Sequence, residues 1–271
     1  MRLLVSVILL CGWTAAYAQS VPGLPAEQVS ASTDTLFIAS GLDQFAPNSH
    51  GTNGSLDWAR ANENGRIVTL GAAAFQVPDG TWLFARGGVS FHPSEKAVAD
   101  AKASIGGGRI SGKAIRYQIY EGGVSYKLTS RFYPTIHSQY LDIGEVRGSL
   151  IKPGVVFVPV PRFSADLVYS HSITGKIDLE LFSTRFDFSA KPVSFLWGFA
   201  IGHAPAEIVN LKVDRKPVSE NLKEVFAAFR IPLRRGELTV VSDFPNLETT
   251  RKQTLTLSWK LPLGKRSAEP R

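Results

Sequence analysis

Cysteine is nearly absent from this 271-residue chain: its one copy, Cys11, lies close to the amino terminus. Beyond that point a disulfide, a cysteine-based metal site and a thiol nucleophile are all excluded. Small exported domains often lean on disulfides for stability. This chain has to hold together by hydrogen bonding and packing alone, as a closed β-barrel does. Long apolar runs are also missing. After the first residues none approaches the roughly 20 that a transmembrane helix needs, and mean hydropathy is near zero. Long basic runs are missing too. The formal net charge of +7 therefore reads as scattered solvated charge and argues against nucleic acid.

What is present begins with an export signal. Arg2 supplies a positive start, Leu3 to Cys11 a short apolar stretch, and Ala16-Tyr-Ala18 the small-x-small form of a cleavage site. Residues 1–18 are expected to be removed. Cys11 does not read as a lipidated cysteine, because Ile8-Leu-Leu10 lacks the small residues that precede one. Residues 19–33 are rich in Pro, Ser and Ala and read as a periplasmic linker. A single β domain is expected over 34–263, followed by a basic tail, 264–271.

Strict two-residue alternation carries the fold assignment. In Gln253 to Leu261, Leu255, Leu257, Trp259 and Leu261 share one face, and Thr254, Thr256, Ser258 and Lys260 the other. Similar patterns run through Leu36–Phe45, Ser55–Ala61, Arg66–Phe75, Thr81–Phe91, 163–170, 177–181, 194–202, 224–231 and 238–244. Asn62-Glu-Asn-Gly65 and Val77-Pro-Asp-Gly80 read as tight turns. Between Ile119 and Val124 the apolar phase slips at Glu121-Gly-Gly123, which predicts a hairpin or a bulge. His92 to Gly112 reads as an unusually long loop, or as the sign of a strand missed before it, with a short helix over Lys96–Ser104 as a further alternative. The whole predicts an all-β, antiparallel up-and-down transmembrane β-barrel of about 12 strands, with 14 as the even alternative, in a bacterial outer membrane. Gln253–Leu261 would close it against Leu36–Phe45, and would be the segment that barrel-assembly machinery reads.

On this reading Trp58, Trp82, Trp197 and Trp259 are girdle residues at the two lipid–water boundaries. Arg162, Asp166, Asp178, Glu180, Glu224, Arg230 and Lys260 line the lumen. The basic balance also suits lipopolysaccharide phosphates or an anionic solute. A two-sheet sandwich, secreted or periplasmic and binding carbohydrate or protein, has the same alternation and is the competing architecture.

Chemistry finds little support. Ser170-His171-Ser172 is the one close Ser–His cluster, but neighbours on a strand point to opposite faces. The histidines His50, His92, His137 and His203 show no zinc-ligand spacing. Gly106-Gly-Gly108 lacks the Lys-Ser/Thr of a phosphate cradle. No catalytic residue, metal or cofactor is expected, and a lipid-modifying barrel enzyme is the weakest of the readings.

The chain loosely resembles the YaiO-like outer-membrane barrels. The resemblance rests on the leader and linker, on Ser55-Leu-Asp-Trp58 turning through Asn62 to Gly65, and on Tyr120-Glu-Gly-Gly-Val-Ser-Tyr126. It implies a barrel of about 12 strands associated with exopolysaccharide or envelope functions, and no catalytic residues. The expected function is thus a passive pore, or an accessory component in export of a polar polymer.

Overall fold

The computed structural model describes residues 33–263 apart from 46–48, 78–79, 111, 144–145, 176–177, 191, 206–218 and 248–251. The signal, most of the linker, the basic tail and the Val77–Gly80 turn tip lie outside the described residues.

Among the described residues, fourteen antiparallel strands form one sheet closed on itself. They are β1 (Thr33–Phe45), β2 (Ser49–Ala61), β3 (Ile67–Val77), β4 (Gly80–Ser94), β5 (Ala97–Ile110), β6 (Lys113–Tyr126) and β7 (Phe132–Ile143). Then come β8 (Val146–Val160), β9 (Phe163–Gly175), β10 (Glu180–Ser189), β11 (Ser194–Pro205), β12 (Ser219–Leu233), β13 (Gly236–Leu247) and β14 (Lys252–Pro262). Each strand pairs with its sequence neighbours, and β14 closes on β1 with Leu36 opposite Leu261 and Phe45 opposite Lys252. Both described termini meet at one end, where the Leu263 amide donates to Asp34 O at 2.8 Å. That end is called the terminal end below, and the other the far end. The closed single sheet corrects the sandwich alternative, and fourteen strands correct the count of twelve.

Three strands, β5, β7 and β8, come from segments whose local signals mislead. β5 occupies the predicted loop and helix. Its outward residues are Ala97, Ala99, Ala101, Ala103 and Ile105, alternating with inward Asp100, Lys102, Ser104 and Gly106. Alanine favours helices, yet the period is two, and pairing on both sides overrides the propensity. β7 and β8 fill 132–160, where no strand was placed. Pro134 and Pro153 each withhold a ladder hydrogen bond there, and β8 meets β9 with two register shifts.

The slip expected at Glu121-Gly-Gly123 does not occur. β6 keeps one phase throughout, with Ile115, Tyr117, Ile119 and Glu121 inward and Tyr120, Val124 and Tyr126 outward. The apparent slip arises because the inner face is apolar toward the far end and polar below it. The Asn62 turn forms as predicted. Asn62 Oδ1 accepts from the Arg66 amide at 2.8 Å, and Gly65 takes the positive φ of 70° that a side chain would resist.

The outer surface is a continuous apolar belt, with Leu42, Leu56, Leu70, Leu83, Ile105, Ile136, Phe182, Val225 and Leu257 all exposed. Exposed large apolar patches of this extent mark a surface that meets something other than water.

Candidate pore lining

The inner face is built in sectors. Toward the far end, strands β3 to β6 stack aromatic rings on the inner face. Phe75 stacks on Phe84 at 5.4 Å and Phe84 on Tyr117 at 5.0 Å. Trp82 meets Tyr117 edge-on at 6.4 Å. The rings cross β5 at Gly106 and Gly108, where a side chain would collide with the Phe84 and Trp82 main chain. Leu141, Ile143 and Leu150 extend the apolar sector, all buried.

Across the lumen, still toward the far end, three carboxylates gather on β1, β12 and β13. Asp43 accepts from Thr254 Oγ1 at 2.8 Å and pairs with Lys252 at 3.1 Å. Asp243 and Glu224 share the same inner face and are buried beside them.

Below these sectors the wall is lined with ion pairs. Asp57 and Arg86 form a two-point pair, through Nε to Oδ1 and Nη2 to Oδ2. The pair reaches from β2 to β4 over β3, and it can do so because Gly71 lies between: a Cβ there would occupy the place of Asp57 Oδ1. The same device recurs one sector on, where His137 of β7 passes over Gly123 of β6 toward Asp100 of β5, 3.6 Å away. Lys152 Nζ donates to Glu121 Oε2 at 3.2 Å, and Arg230 and Arg185 converge on Asp187 at 3.0 and 3.8 Å. Among the described residues, five acids (Asp57, Asp100, Glu121, Asp166, Asp187) thus face five permanent cations (Arg86, Lys102, Lys152, Arg185, Arg230) in this layer. The balance makes the wall polar without a large net field.

Of the residues expected in the lumen, Asp166, Glu224, Arg230 and Lys260 occupy inward register positions. The other three do not. Arg162 lies in the β8–β9 turn, exposed, its carbonyl bonded to the Ser189 amide. Asp178 precedes β10 rather than lying within it, so the 177–181 alternation belongs partly to a connection. Glu180 is on the outer face, 3.3 Å from His171 Nδ1 and opposite His203 in the ladder. An acidic partner for His171 therefore exists, but Ser170 is buried on the inner face and His171 stands on the outer one.

Trp82 is the correction among the aromatics. It is 1% exposed and points into the barrel, and its Nε1 has no acceptor among the described residues. The signal was in the sequence: Arg86 is in phase with Trp82 and Phe84, and a charge marks the lumen side. Trp58, Trp197 and Trp259 face outward. Each lies three residues from the terminal end of its strand, so they form one row at one boundary rather than two girdles. Asp57, Arg86 and Glu121 were missed because their strands were misphased or their faces read as ordinary alternation, and Lys152 because no strand was placed over β8.

A single closed sheet with an apolar outer face and a charged inner one is the architecture of an outer-membrane β-barrel. The solved structures agree. The chain superposes on the CymD monoaromatic hydrocarbon channel with a TM-score of 0.61 at 10% identity, covering 93% of this chain and 94% of that one. A TodX deltaS2S3 mutant monoaromatic hydrocarbon channel gives 0.60 at 8% identity, covering 90% and 94%. A bacterial polysaccharide outer membrane secretin gives 0.50 at 8% identity, covering 85% and 98%. Such low identities establish the shared fold and no more. No protein-family model matches the chain, and no curated protein matches it. Of the YaiO-like resemblance, only the general outer-membrane barrel stands.

Proposed function

We propose that the protein is a passive outer-membrane channel without enzymatic activity, exported by its leader. The observation that carries this reading is the inner wall: paired Asp57–Arg86, Glu121–Lys152 and Asp187–Arg230 side chains present charge to the lumen of a barrel whose outer face is apolar. Such groups need water or partners, and a lumen supplies both. Fourteen strands lie between the filled eight-strand barrels and the open channels of sixteen or more, so the passage is narrow and suits small solutes. Single-channel recording tests it. The folded barrel in a planar bilayer should give steady steps that change on Arg86→Ala or Lys152→Ala and ignore Glu180→Gln on the outer wall. Folded, heat-modifiable protein that never conducts would sink the proposal. Fractionation tests the location, since release by osmotic shock would exclude a membrane barrel.

The aromatic strip favours a second reading of the solute. Phe75, Phe84, Tyr117 and Trp82 form a buried apolar cluster on the inner face of the far half, each at most 6% exposed, and a solute that parts these rings to cross it is best a small one with an apolar or aromatic body. Vesicles containing the barrel should then take up a small aromatic compound faster than a sugar of equal size, and Tyr117→Ser should narrow the difference. The accessory export role implied by the YaiO-like resemblance predicts something else: loss of secreted polymer when the chain is deleted, with conductance absent.

A further inference from the structure

We infer that the outer wall carries a binding site for the phosphate of a phosphorylated glycolipid, built by Arg116 and Arg147 around Asp142 at the far rim. The inference rests on the barrel lying in an outer membrane.

Asp142 stands on the outward face of β7, between Gln118 of β6 and Arg147 of β8 in the ladder, yet it is only 3% exposed. What covers it is a pair of arginines from the flanking strands. Arg116 of β6 reaches Oδ2 through Nη2, and Arg147 of β8 lies 3.2 Å from Oδ1 through Nε. Both guanidinium side chains stay open to the surroundings, at 50% and 60% exposure. A guanidinium has five N–H donors, so Arg116, hydrogen-bonded to the shared carboxylate, and Arg147, held beside it by charge, both keep donors to spare. Arg109 of β5 is exposed on the same face, diagonal to Arg116 in the ladder. Among the described residues, three cations and one anion leave a local surplus of positive charge on a wall that otherwise faces lipid.

The height of this cluster is set independently. Tyr140, two residues from Asp142 on the same face, sits opposite Tyr120 with ring centroids 6.3 Å apart. Exposed tyrosines mark the lipid–water boundary, and Ile136 and Val124 continue the apolar belt beyond them. The arginines are therefore at headgroup level. There the group that takes a two-point guanidinium contact is a phosphate ester. Asp142 acts as a positioning residue, holding both forks ready and reducing the ordering cost of binding.

The test uses the full folded chain in a zwitterionic detergent, titrated with lipid A carrying its phosphates or with the dephosphorylated form, and read by native mass spectrometry. Phosphorylated lipid A should stay bound. The double variant R116Q/R147Q should weaken it on the order of tenfold, as expected for two cations at a membrane surface. R60Q, exposed on the outer face at the terminal end, should change nothing. If the double variant does not fold, R147Q alone carries the comparison. Equal retention of the dephosphorylated lipid, unchanged binding in the arginine variant, or full displacement by millimolar inorganic phosphate would each overturn the site. An unaltered chain that conducts but retains no phosphorylated lipid A would overturn this inference and leave the channel reading standing.

Discussion

At the scale of single residues, the inner wall depends on what is absent as much as on what is present. The Asp57–Arg86 pair needs an empty position on the strand between its members, and Gly71 supplies it. Gly71→Val should push Asp57 aside and cost about 1–3 kcal/mol, as overpacking does, seen as a lower urea midpoint for the folded form on gels. Gly122→Ala is the control. A Cβ there meets the Asp100 carbonyl at an ordinary 3.5 Å, and the midpoint should hardly move. The ion pair itself is a specificity device more than a source of stability. Its side chains are 16% and 15% exposed, so removing one partner strands a poorly solvated charge. Arg86→Met should cost about 2 kcal/mol, and adding Asp57→Asn should recover much of it.

At the scale of strands, legibility followed the contrast between the two faces. β14 was read residue by residue because Leu255, Leu257 and Trp259 oppose Thr254, Thr256 and Ser258 with no exception. Leu257→Lys should cost about 2–4 kcal/mol, since it sets a cation against lipid near the belt's middle. Ser258→Lys, one residue on, should cost little in the same urea titration. Where the contrast faded, so did the reading. β5 hides because its lipid-facing residues are alanines. β4 and β6 mislead because Trp82, Phe84, Ile115 and Tyr117 make the inner face apolar toward the far end, so apolar no longer meant outside. The ion pairs were illegible for a further reason: they join alternate strands over a glycine, and a two-residue period carries no record of what lies two strands away.

At the scale of the whole molecule, closure is the property to test. The mature chain is expected to contain no cysteine, so engineered pairs report cleanly. Ser40 and Leu257 are register partners across the β1–β14 seam, and Ser40→Cys with Leu257→Cys should cross-link in the folded barrel. Ser40→Cys with Thr256→Cys places the thiols on opposite faces and should not. Absence of the first cross-link in heat-modifiable protein would mean that the seam is open.

That seam also orders events in time. The hydrogen bond from Thr254 to Asp43 joins residues 211 apart in the chain, among the longest separations the fold contains. Its loop-closure cost cannot be met until the last strand has been delivered. A chain stopped short of Lys252 would present two bare sheet edges, each a template for a foreign strand. The final eleven residues of β14 therefore act as a latch: thirteen strands without them make an open, adhesive ribbon, and the fourteenth turns it into a vessel.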